Sequence, residues 1–280
     1  MFSSPVLLFA LSSLAAAQKC KLQFDGRVPS NSALTGFDAA NQLFSSANVL
    51  GAGLKFSQLL KLPAITGSLF DTNTIPVEVT ISDASIFNGQ TGFRRAELIP
   101  ASNSGTDPST QGVKTVHFSL MKDGQRPLNL SHEYQLAFLE SADFSTNQVV
   151  VKTGTILGQN TANPDTLQVI GNVNKGATVL FSTPFAAGVF HNFGLALDFN
   201  KLTTQVFFST GNNPLKAVTQ AVANDVSGQG QFHFGVLKKG VNGQGDITKN
   251  GVQEPNINEG IIFGGIFEED SSANCVSLAP

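Results

Sequence analysis

From residue 77 onward, apolar and polar residues alternate in short runs separated by Gly, Pro, Asn and Asp, the period-two pattern of strands with one buried face. The runs predict strands near 77–83 (VEVTISD), 93–99 (FRRAELI), 113–120 (VKTVHFSL), 132–140 (HEYQLAFLE), 147–153 (NQVVVKT), 166–171 (TLQVIG), 177–182, 190–199 (FHNFGLALDF), 203–209 (TTQVFFS), 231–237 (QFHFGVL) and 260–267. Only 54–62 (LKFSQLLKL) has helical spacing, and it predicts one short helix. No repeat of 20–50 residues is visible, which argues against a propeller or solenoid. The expected fold is all-β, a jelly roll or concanavalin-like sandwich of two sheets.

Successive strand residues point to opposite faces, so parity divides each strand into a core set and an opposite set. In 132–140 it assigns Tyr134, Leu136 and Phe138 to the core and Glu133, Gln135 and Ala137 to the other face. In 231–237 Phe232, Phe234 and Val236 are core, leaving Gln231, His233 and Gly235. In 113–120 Val116, Phe118 and Leu120 are core, leaving Thr115, His117 and Ser119; in 93–99 Ala96 and Leu98 suit the core, leaving Arg95 and Glu97. The expectation is one polar face carrying acids, histidines, an arginine and amides from four strands.

The ends of the chain add its context. Residues 1–17 hold an apolar stretch, Pro5–Leu11, and close on Ala15-Ala16-Ala17, which predicts a cleaved secretory signal peptide. Residues 18–280, without a linker-like segment, are expected to form a single domain. Cys20 and Cys275, the two cysteines, are expected to join the termini in a disulfide. Asn129-Leu130-Ser131 is a glycosylation sequon. Charged residues are only 13% of the chain, Gly (27) and Phe (23) are abundant, and the net charge is −3. No basic cluster exceeds Lys238-Lys239, so a nucleic-acid surface is not expected, and neither is a membrane partner; a monomer is expected.

Two carboxylates with His and Arg support are what glycoside hydrolysis needs, one protonated as general acid and the other ionised. An adjacent arginine holds one ionised, and partial burial keeps the other protonated. A phosphate-binding Gly-rich loop, CxxC pairs, HExxH and a GxSxG elbow are all missing from the sequence, so NTPase, zinc-protease and esterase readings lack their residues. No cofactor or metal is expected. A polysaccharide lyase on the same fold and a non-catalytic glycan-binding protein are the competing readings.

The runs VEVTISD (77–83), QTGFRRAELIP (90–100), GTDPSTQGVKTVHFS (105–119), RPLNLSHEYQL (126–136), HNFGLALDF (191–199), STGNNPLKAV (209–218), GQFHFGVLKK (230–239) and INEGIIFGGIF (257–267) resemble glycoside hydrolase family 131, secreted fungal β-glucanases. The resemblance implies a β-jelly roll and endo-acting hydrolysis of β-1,3, β-1,6 and β-1,4 glucans by an inverting mechanism with two glutamates. Transferred to this sequence, Glu97 and Glu133 are the catalytic pair and His233 shares their cleft; Arg95, His117, Gln135 and Gln231, which parity sets on the same polar face, are expected to bind substrate. Glu140 stands as an alternative second acid, which strand parity disfavours, and acid and base are unassigned. The chain departs from the family pattern in carrying Phe190 where the family has Trp; it has no Trp and a single tyrosine, Tyr134.

Overall fold

The structure is a computed structural model that describes residues 20–39, 43–47, 49–101 and 108–280; the predicted signal peptide lies outside them. Two antiparallel sheets pack face to face. The six-stranded sheet runs in the order Val179–Pro184, Thr166–Gly171, Asn147–Gly154, Glu133–Glu140, Gln231–Lys239, Phe93–Leu98. The larger, nine-stranded sheet has as its central strands Thr203–Thr210, His191–Asp198, Val113–Lys122, Asn258–Asp270 and Val77–Ser82, with Lys21–Asp25 added beside Asn258–Asp270. Such non-sequential neighbours are the signature of a jelly-roll sandwich.

The alternation dictates this packing. Val116, Phe118 and Leu120 join Phe193, Leu195, Ile261 and Phe263 on the inner face of the large sheet, against Ala96, Leu98, Val149, Val151, Phe232, Phe234 and Val236 of the smaller one. Phe118 stacks on Phe193 at 5.3 Å and meets Phe234 of the opposite sheet at 5.7 Å. Burying such a Phe side chain stabilises the fold by about 1.5–3 kcal/mol. All eleven predicted strands are present. The predicted helix shrinks to Phe56–Leu59, because Leu60–Lys61 leaves it to pair with the Val77–Ser82 strand.

Cys20 and Cys275 are joined, with Cα atoms 5.6 Å apart, so the bond closes a loop of sequence separation 255. A loop that long stabilises by roughly 5 kcal/mol in the chain-entropy model. Asn129 lies exposed, its Oδ1 accepting from Ser131 Oγ at 2.8 Å and its Nδ2 donating to Glu254 at 3.0 Å.

One departure from simple alternation matters for function. In the Glu133–Glu140 strand the register against Asn147–Gly154 shifts between Gln135 and Ala137, a β-bulge that reverses the parity of everything after it. Tyr134 and Leu136 point into the core as expected, but so do Ala137 and Leu139. Phe138, expected in the core, belongs instead to a separate apolar group with Phe93, Val150, Ile170 and Leu237 on the outer face of the six-stranded sheet.

Candidate active site

The outer face of the six-stranded sheet receives Arg95 and Glu97 from its edge strand and His233 from the neighbouring one. The edge is held in place: Arg95 N donates to Ser85 O at 2.8 Å and Glu97 N to Val49 O at 3.1 Å. Directly opposite Glu97 stands Gly235, where a Cβ would meet Ala96 O at 2.1 Å; only glycine lets the two strands approach so closely beside the glutamate.

Glu97 is wholly buried and its carboxylate is fully engaged. Arg95 grips it bidentately, Nε to Oε1 and Nη2 to Oε2, both at 2.7 Å, and His233 Nδ1 lies 2.7 Å from Oε2. Burial alone would raise the carboxyl's pKa, but the Arg95 charge and the His233 contact outweigh it and hold it down to about 2. Burial works against the charged form of His233 too, yet Glu140 and Glu97 together raise its pKa above the ordinary 6.5. The cluster is therefore a carboxylate held ionised beside an imidazole whose protonated form its two carboxylate neighbours favour.

The second nitrogen of His233 faces Glu140: Nε2 lies 3.5 Å from Oε2, a charge contact longer than a hydrogen bond. Parity had set Glu140 with the core, and the bulge overturns that by turning it, with Phe138, onto the outer face. Phe138 stacks on the His233 ring at 4.4 Å and 12°. Gln231 pairs directly with Glu140 across the strands. Gln135 lies on the same face, its Oε1 accepting from Asn147 Nδ2 at 2.7 Å.

Glu133 also faces this side, but at the other end of its strand, about 20 Å from Glu140 along the strand. Its Oε1 lies 2.8 Å from both Lys152 Nζ and Lys239 Nζ, and Leu157 N donates to Oε2 at 2.9 Å. Burial opposes ionisation here as well, and the Lys239 and Lys152 charges lower the pKa regardless. Among the described residues no hydrogen bond or ion pair joins this cluster to Glu97. The sequence reading missed both lysines; their signal was a charge, Lys152, in an otherwise apolar Val-Val-Val run, and Lys239 following the predicted end of its strand.

His117 does not share the face at all, contrary to the expectation of one polar side. It lies in the other sheet, on that sheet's outer surface, wholly buried between Phe267 and Phe70, with Nε2 2.9 Å from Glu269. Parity tells which side of its own strand a residue takes, not which sheet the strand joins. Among the described residues no group of three or more His, Cys, Asp or Glu could hold a metal ion.

An ionised glutamate, a buried histidine and a second, partly exposed glutamate in one chain of contacts form a set able to perform acid–base chemistry at a glycosidic bond. Comparison with known proteins gives the family. No curated protein matches the sequence. The fold matches the crystal structure of a GH131 β-glucanase catalytic domain from Podospora anserina with a TM-score of 0.75 at 23% identity, covering 92% of this chain and 98% of that one. It matches the catalytic domain of the glycoside hydrolase family 131 protein from Coprinopsis cinerea with a TM-score of 0.74 at 24% identity, over 93% and 98% of the two chains. The sequence model of the glycoside hydrolase 131 catalytic N-terminal domain matches residues 22–274, and with that match the chain belongs to glycoside hydrolase family 131.

Proposed function

We propose that the protein is a secreted endo-β-glucanase acting on β-1,3, β-1,6 and β-1,4 glucans, with Glu97 and Glu140 as its catalytic pair. The observation that carries the pairing is the line Glu97–His233–Glu140, in which one imidazole separates two carboxylates. Bridging through opposite nitrogens of one ring spaces the carboxylates by on the order of 8 Å, within the roughly 6.5–9.5 Å of inverting glycosidases and beyond the roughly 5–5.5 Å of retaining ones. Glu97, held ionised, suits the base that takes a proton from the attacking water. Glu140, with its side chain 24% exposed, suits the acid that protonates the leaving oxygen. After each turnover Glu97 releases the proton it took from the attacking water, and Glu140, partly exposed, regains one from solvent. The step needs one water to enter beside Glu97 when substrate binds.

The Podospora relative is named a β-glucanase, which supports the substrate class, and the Cys20–Cys275 disulfide supports an oxidising, extracellular setting. The lyase reading loses its tyrosine: Tyr134 is buried, its hydroxyl donates to Glu259 at 2.7 Å, and burial with that carboxylate pushes its pKa far up.

The test is incubation with laminarin, lichenan and cellulose, with new reducing ends measured and the anomer of the first product read by NMR. Inversion at the anomeric carbon is expected. Retention would discard the base role of Glu97, and binding without products would favour a lectin.

A further inference from the structure

Glucanase clefts need apolar surface on which sugar rings can lie, and this chain has no tryptophan and a buried tyrosine. Among the described residues one large aromatic side chain is exposed: Phe144, 75% accessible, at the tip of the hairpin that joins Glu133–Glu140 to Asn147–Gly154. We propose that Phe144, together with Val173 beside it, forms a stacking subsite for a glucosyl ring of the substrate, one or two rings from the scissile bond on the Glu140 side. The proposal rests on the glucanase reading above and specifies how that site holds its polymer.

Position comes first. Glu140 and Asn147 are paired across the base of the hairpin, so the turn begins at the proposed acid. Phe144 N donates to Ser141 O at 2.8 Å, closing a β-turn whose first and last Cα atoms lie within about 7 Å. The Phe144 Cα thus lies within about 11 Å of the Glu140 Cα.

Conformation is the second observation. Phe144 has φ of 59°, in the left-handed region where a bulky side chain is an outlier and where Asn or Gly is the ordinary occupant. A residue both strained and exposed contributes little to folding, and such outliers gather at binding sites. The turn around it is densely hydrogen-bonded. Asp143 Oδ1 accepts from Ser141 Oγ at 2.6 Å, Ser145 N at 3.0 Å and Ser145 Oγ at 2.8 Å. Asn174 Nδ2 donates to Ser145 O at 2.8 Å, and Thr146 Oγ1 donates to Asn172 Oδ1 at 3.1 Å, tying the tip to the 172–174 segment. Val173, between those two asparagines, is itself exposed. The rim thus presents an exposed aromatic ring on a hydrogen-bonded turn, with the exposed Val173 on the segment tied to that turn and amide groups around them, the mixture that suits a sugar's apolar face and hydroxyl edge.

The experiment measures retention of the full chain on insoluble β-glucan in a Glu140→Gln background, so that binding is read without hydrolysis and without stripping the buried Arg95 of its anion. Adding Phe144→Ala is expected to weaken retention about tenfold and Phe144→Trp to preserve or tighten it. Phe144→Asn is expected to raise the Tm by relieving the backbone while still losing retention, which a purely structural role would not do. In the active protein Phe144→Ala should raise KM on long glucan far more than it lowers kcat. Leu22→Ala, an exposed apolar control elsewhere, should change neither. Equal retention with and without Phe144, or no retention of the Glu140→Gln protein at all, overturns the subsite. Failure of the wild type to release products from any glucan instead overturns the glucanase reading, and the retention series still decides the subsite.

Discussion

The outer faces of the two sheets carry nearly the same small constellation, and only one of them has the makings of a catalytic site. On the nine-stranded sheet His117 contacts Glu269 at 2.9 Å and stacks on Phe267 at 4.3 Å and 10°. On the six-stranded sheet His233 contacts Glu97 at 2.7 Å and stacks on Phe138 at 4.4 Å and 12°. Both histidines are buried. The difference lies in what each pair touches next. Glu269 accepts from Ser277 N and Oγ at 2.7 Å each, which pins the C-terminal tail near Cys275, and the His117 Nδ1 has no hydrogen-bond partner. Glu97 is gripped by Arg95, and the other nitrogen of His233 faces the partly exposed Glu140. A buried His–Glu pair is thus a structural clamp by default; a second carboxylate with an open side makes it usable for proton transfer.

The strongest way to break this comparison is to neutralise its carboxylates in turn. Glu97→Gln and Glu140→Gln are each expected to lower the rate of reducing-end release by about 10²–10⁴-fold, whereas Glu269→Gln should leave it within twofold. Near-wild-type hydrolysis by Glu140→Gln would falsify the pairing.

Glu133 offers a second contrast, a buried carboxylate on the correct face with the wrong neighbours. Glu133→Gln is expected to keep most activity but to strand Lys152 and Lys239 without their anion, at a cost of about 3–5 kcal/mol in chemical denaturation. Large loss of activity with unchanged stability would restore Glu133 to the mechanism.

The pH dependence sharpens the contrast through sign. Glu97 has a depressed pKa, so its contribution to stability is complete above the ordinary 4.5 and is lost as pH falls toward about 2. His233 has a raised pKa, so its contribution is complete below 6.5 and is lost as pH rises through the higher folded value. The Tm advantage of wild type over His233→Asn should therefore be largest between about pH 4.5 and 6.5 and shrink on the alkaline side. An advantage that grows with pH would show the imidazole to be neutral. The smallest effect is expected from His117→Gln, about 1–2 kcal/mol of stability, measured with catalysis intact.

Much of this was readable in the chain. Arg95, Glu97 and His233 lie in stretches of regular alternation, His233 ahead of the register shift between Phe234 and Leu237, so local sterics assign the face, and the structure places them together. Phe138 and Glu140 were misassigned for a single reason: the bulge after Gln135 inserts one residue against the neighbouring strand, and every later side chain changes sides. His117 was misgrouped because alternation contains no information on which strands become neighbours.

The sequence by itself therefore determined the all-β class, the strands, the family and the common face of Arg95 and Glu97, because each depends on local periodicity or on residues close in the chain. Only the tertiary structure decided that Glu140 rather than Glu133 stands across His233 from Glu97. That choice depends on strand register and sheet partnership, which are set by packing between segments more than a hundred residues apart; His233 and Glu97 are separated by 136.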